Sequence, residues 1–249
     1  MDELKLQISE LKETLLDLVC THDELMYHIC FFLGNEYNRR IGTLEYDVKV
    51  YTLDVLKIRR KIMLAKRSLQ EKETVDELSI ELEVDREFAG YDGQVEFAPK
   101  IFEDRDYSNL EKLKEYYRNI MRKVHPVINP NNFENKQDYY SQAVNAYRNG
   151  NLDALRNLDY ICFLLDGREP DNGDAGELER RRNELENASS SLKRKIYQIQ
   201  TSFPYNQYEL LSDKKQLAYR IEGLNNKIAF LKQEYEYYLE EYRKSVCEG

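Results

Sequence analysis

Apolar residues along this chain keep helical time over long stretches. Leu4, Ile8, Leu11, Leu15 and Leu18 recur at alternating spacings of four and three, the stripe of a coiled-coil-like helix. A second stripe runs through Leu44, Val48, Tyr51, Val55, Ile58, Ile62, Ala65 and Leu69. Gly34 and Asn35, between the two, read as a turn that folds the second helix back on the first. A shorter helix is expected from Thr74 to Phe88, with Thr74 as N-cap and Glu77 three residues on. Gly90, Gly93 and Pro99 then mark a loop.

A compact region follows at residues 105–168. Ser108 and Glu111 stand at capping-box spacing, and the helix they open should stop before His125-Pro126. Residues 127–132, with Pro130 and Asn131-Asn132, read as a loop. The next helix is expected from Phe133 to Arg148, ended by Asn149-Gly150-Asn151. A last short helix carries Leu152, Leu155, Leu158 and Ile161.

Residues 169–174 have linker composition. Beyond them Leu178, Leu185, Leu192 and Ile199 repeat every seven residues. Phe203-Pro204 interrupts the pattern. It resumes through Ile221, Leu224, Ile228, Leu231, Tyr235, Tyr238 and Tyr242, which predicts an antiparallel hairpin turning near Pro204. The expected architecture is all-α. Long coiled-coil-like helices at 1–88 and 175–249 flank a small helical module at 105–168.

Composition strengthens the helical reading. The 249 residues include only 10 Gly and 5 Pro, too few for the turns of a sheet protein this long. The net charge of −9 repels phosphate backbones and anionic lipid, so neither nucleic acid nor membrane is an expected partner. The apolar runs Ile29–Leu33 and Tyr160–Leu165 fall far below the roughly 20 residues of a membrane span. Cys20, Cys30, Cys162 and Cys247 form no CxxC pair, which suits a reducing cytoplasm. The expected location is cytoplasmic.

Candidate chemistry is sparse. Cys20, His22, His28 and Cys30 are the nearest approach to a metal set. Residues two apart on a helix point in different directions, however, and the spacing matches no zinc motif. No metal or cofactor is expected. Three His and the absence of nucleotide-binding or zinc-protease motifs leave little material for catalysis, and no enzyme activity is expected. The C-terminal tyrosines sit at packing positions within acidic surroundings, so they read as helix contacts rather than as a base-stacking platform.

One segment departs from the acidic background. Residues 111–123 hold Lys112, Lys114, Arg118, Arg122 and Lys123 against Glu111 and Glu115. Lys114, Arg118 and Arg122 are four apart and form one stripe. Such a stripe is either a solvated face balanced by its own glutamates or a docking face for an acidic partner.

The residues around this stripe carry a resemblance. YRNIMRKVHPVINP resembles the second helix and following loop of a J domain, and YYSQAVNAYRNGNLDALRNL is similar to that fold's third helix, with Ala146-Tyr147 at its Ala-Tyr position. The likeness covers about residues 107–150. No first J helix is recognisable in residues 89–106. The arrangement also resembles uncharacterised bacterial J-domain-like coiled-coil proteins. The resemblance implies a basic face, Lys114 and Arg118 with the adjoining Arg122 and Lys123, that meets a DnaK-type chaperone, and a signature beginning His125-Pro126. The third signature residue departs from the family, with Val127 in place of Asp. Valine can accept no charge-assisted hydrogen bond, so coupling to ATP hydrolysis should be poor and should recover in part with Val127→Asp. The implied function is that of an interaction scaffold with an acidic protein partner. The alternatives are a working co-chaperone and a structural spacer. A homo-oligomer is expected, because the stripe from Leu44 to Leu69 needs a cover.

Overall fold

The computed structural model describes residues 1–71, 74–95, 98–103, 108–130, 133–164 and 173–247, the side chains of 92–95 and 133–135 excepted. The expected linker at 169–172 and the pair at 131–132 lie outside them. Helix accounts for 87% of the described residues and no strand occurs among them. The fold is all-α. None of the described helices is long and apolar enough to cross a membrane.

The helices are α1 Asp2–Glu24, α2 Cys30–Tyr37, α3 Thr43–Gln70, α4 Glu77–Val95, α5 Leu110–Val124, α6 Phe133–Arg148, α7 Leu152–Phe163, α8 Ala175–Thr201, α9 Tyr208–Ser212 and α10 Lys214–Cys247. Wide π turns at Leu25–Ile29 and Asn38–Gly42 follow α1 and α2. Gly34 and Asn35 therefore lie inside α2 rather than in a turn. Gly90 is likewise helical, within α4. Isolated glycines cost a helix only about 1 kcal/mol each, which neighbouring contacts overcome.

The caps also differ from expectation. Asp76, not Thr74, stands before α4, its carboxylate accepting from the Leu78 amide at 3.2 Å. Asn109 precedes α5, and no Ser108–Glu111 capping box forms. A reciprocal box does open α8, where Asp174 accepts from the Glu177 amide and Glu177 reaches back to the Asp174 amide. Gly150, at φ +68°, ends α6 as its sequence position demands.

The chain divides into two compact units, 1–34 with 103–207 and 35–102 with 208–249. Both flanking segments, 1–88 and 175–249, thus contribute to both units. In the first unit α1 lies along α8, while α5, α6 and α7 pack together. One core joins Ile8, Leu15, Leu16 and Val19 of α1 to Leu113, Tyr117, Ile120 and Met121 of α5, with Tyr147, Leu155, Leu178 and Leu185 from the later helices.

In the second unit α3 is covered by α10 and α4. Ile58, Ile62 and Ala65 pack with Ile80, Val84 and Tyr242. At the other end Ile41 and Val48 meet Leu217 and Leu224. Glu45 bonds Arg220, Tyr51 faces Lys232 and Arg59 faces Tyr238, so numbers rise together along α3 and α10. The two helices run parallel. The expected back-folding of neighbouring helices is replaced by pairing between segments remote in sequence. An a/d stripe specifies that a cover is needed, not which helix supplies it.

Candidate functional site

The buried face of α5 consists of Leu113, Tyr117, Ile120, Met121 and Val124. Lys114, Arg118 and Arg122 each follow a buried residue by one position. About 100° of helical rotation separates neighbours, which puts the cations on the rim of the buried face. That rim borders α1. The Lys114 ammonium lies 2.9 Å from Glu24 and 2.9 Å from Glu111. Arg118 pairs with Asp17, and reaches Glu13 at 3.4 Å. Arg122 donates to Glu13 at 3.0 Å.

Rising numbers on α1 therefore meet falling numbers on α5, an antiparallel ladder. The three cations are about one-third exposed. Carboxylates of the same chain occupy the stripe, Glu111 from its own helix and Glu13, Asp17 and Glu24 from α1. Pairs this exposed contribute roughly 0–1 kcal/mol apiece. Burial of Ile8, Leu15, Leu16 and Val19, at about 1.5–3 kcal/mol per side chain, is what holds α1 in place.

Under the ladder lies a buried polar cluster. The Tyr117 hydroxyl donates to Asp23 at 2.5 Å, and the His22 Nδ1 lies 2.8 Å from the other Asp23 oxygen. The Tyr117 ring stacks on Tyr147 with centroids 4.1 Å apart, and His28 meets Tyr147 edge-on at 4.6 Å. Burial and then the Asp23 charge hold the Tyr117 phenol far above its ordinary range. Tyr117 is always a donor here.

The loop after α5 carries His125, Pro126 and Val127. His125 is buried, packs edge-on against Tyr140 and accepts the Val127 amide at Nδ1 at 3.3 Å. Burial lowers its pKa to about 4, so the ring is neutral at physiological pH. The His125 carbonyl accepts from the amides of Ile128 and Asn129. Arg181 of α8 donates to the carbonyls of Val127 and, at 3.2 Å, of Ile128. The polar contact at position 127 is thus made by backbone.

Asn129 donates to the Arg122 carbonyl and the buried Lys136 to that of Lys123, satisfying the last turn of α5. Lys123 itself donates to the Cys162 carbonyl at 2.7 Å and lies over the Phe163 ring. It points toward α7, away from the ladder with α1.

Cys20 lines a groove beside Arg118 and Tyr147, its thiol pushed up to about 11, chiefly by burial. Among the described residues no group of three or more metal-ligating side chains converges.

Glu13, Asp17, Asp23, Glu24 and Arg181 take part in this site without having been expected from the sequence. The signal for the first set was present, since Glu13, Asp17 and Glu24 follow helical spacing along one face of α1. Nothing in the sequence marks Arg181 for this loop, since its bonds there go to the backbone carbonyls of Val127 and Ile128, beside its i,i+3 pair with Glu184. Comparison with family models, with curated proteins and with solved structures finds no match to this chain.

Proposed function

We propose that this chain is a non-enzymatic, cytoplasmic J-domain-like interaction scaffold that does not stimulate a DnaK-type ATPase efficiently. The observation that carries this reading is the intrachain pairing of the basic stripe. Lys114, Arg118 and Arg122 spend their charge on Glu24, Asp17 and Glu13. An acidic chaperone surface meets cations already neutralised, and Val127 adds no carboxylate to engage it. The packing face that a J module takes from its first helix comes, in this reading, from α1.

The test is ATP turnover by a DnaK-type chaperone with the full chain added. Wild type should leave turnover near its basal rate. Val127→Asp alone should raise it slightly, because the stripe stays neutralised. Val127→Asp with Glu13→Gln and Asp17→Asn should raise it several-fold more. Wild type acting as strongly as an ordinary J domain would make this a working co-chaperone instead.

Self-association belongs to the same reading, though by a route other than the α3 stripe, which α10 and α4 cover. Leu78 and Leu82 stand one turn apart on α4 and are exposed by 68% and 58%. Sedimentation should show a dimer, and Leu78→Glu with Leu82→Glu should shift its dissociation to higher concentration than in wild type. A concentration-independent monomer would remove this part of the proposal.

A further inference from the structure

The second unit contains a groove of about 940 Å³ between α3, α9 and α10. Its floor is Val48, Leu210 and Leu224, and Gly223 stands in its wall. Gly223 lies well inside the 34-residue α10. Glycine weakens a helix at such a position by about 1 kcal/mol relative to alanine, and close approach of another element is one reason for its presence. Here a Cβ added at Gly223 meets nothing within 4 Å. No intrachain packing accounts for the residue, and the space it leaves opens into the groove.

The charges around that space have an order. Glu45 is occupied, accepting from Arg220 at 2.7 Å and from the Tyr37 hydroxyl at 3.0 Å. Those bonds hold Arg220 at the groove edge. Lys49 from α3 and Lys227, one turn beyond Gly223, line the same groove and pair with no carboxylate among the described residues. Glu222 is the opposing charge. With Arg220 and Glu45 bonded to each other, Lys49 and Lys227 stand against Glu222 alone, which makes this a locally basic groove in a chain of net charge −9. Tyr219, 81% exposed, stands at the rim as an aromatic anchor of the kind that interfaces favour.

We infer that this groove docks an acidic amphipathic helix of a partner protein. The apolar face lies on Val48, Leu210 and Leu224, the backbone approaches at Gly223, and carboxylates meet Lys49 and Lys227. This surface belongs to the other unit and goes beyond the J-like reading, which can fail without affecting it.

The experiment uses the full-length chain and a fluorescent 21-residue peptide of three repeats of Leu-Glu-Ala-Leu-Glu-Ala-Glu, followed by anisotropy. The wild-type protein should bind it, and the analogue with Lys for Glu should not bind. Gly223→Leu should raise the melting temperature, since the new side chain enters open space and favours helix, yet weaken binding at least tenfold. Lys49→Glu with Lys227→Glu should weaken it similarly. Gly223→Ala, smaller and helix-favouring, should retain part of the affinity. No binding to wild type at about 10 mM salt, where charges are little screened, or unchanged binding to a folded Gly223→Leu variant, overturns the proposal. A dimer in sedimentation that Gly223→Leu abolishes gives the groove to a second copy of this chain and overturns it as well.

Discussion

Tyr117→Ala is expected to cost the unit built from 1–34 and 103–207 about 3–5 kcal/mol from the cavity alone. The side chain is fully buried and lies against Tyr147 along its whole ring face. Its hydroxyl and the His22 ring both bond the buried Asp23. Removing a partner from a buried carboxylate adds about 1–3 kcal/mol. Domain stabilities are typically about 5–15 kcal/mol, so the variant should be largely unfolded or close to it. Tyr117→Phe separates the two contributions. It keeps the stack and loses only the hydrogen bond, and should cost about 1.5–3 kcal/mol. Urea denaturation followed by far-ultraviolet circular dichroism reads both. A Tyr117→Ala variant destabilised by under 1 kcal/mol would contradict the packing described for this core.

Mild acid is expected to destabilise the same unit through His125. Its pKa falls from the ordinary 6.5 to about 4 on folding, because burial disfavours the imidazolium, while the Asp23 charge opposes this weakly. Between those values the unfolded chain binds a proton that the folded chain refuses. Stability is therefore fully present above pH 6.5, declines as pH falls, and reaches its lower level near pH 4. The whole window corresponds to about 3 kcal/mol. His125→Phe should flatten the slope between pH 6.5 and 4. The measurement is melting temperature against pH for both proteins. Equal slopes in the two would show that His125 is not the group responsible.

The site was legible in part. The cations at 114, 118 and 122 were visible as a stripe, because four-residue spacing on a helix needs no tertiary information. Glu111, the partner of Lys114 within the same helix, was visible too, but the partners on α1 were not. Glu13 and Asp17 lie about 100 residues away in sequence, and acidic residues are common enough in this chain that complementary spacing picks out no single helix. His125 was readable as the end of α5, from the proline after it. Its burial and neutral state depend on Tyr140 and on the loop closed by Arg181, which local sequence does not encode.

Fold class and most helix limits were determined by the sequence itself. Scarce Gly and Pro, apolar periodicity and the breaks at Pro126, Gly150 and Pro204 are local properties of the chain, and local properties decide where helices form. Exceptions such as Gly34 and Gly90 fall where one weak residue is outvoted by its neighbours. Which helices pair was decided only in three dimensions. The stripes of α1, α3, α8 and α10 are similar in period and composition, so several pairings cover their apolar faces about equally well. What selects α1 with α8 and α3 with α10 is the fit of particular side chains across each interface, together with long-range contacts such as Glu45 with Arg220. Those contacts exist only once the chain has folded.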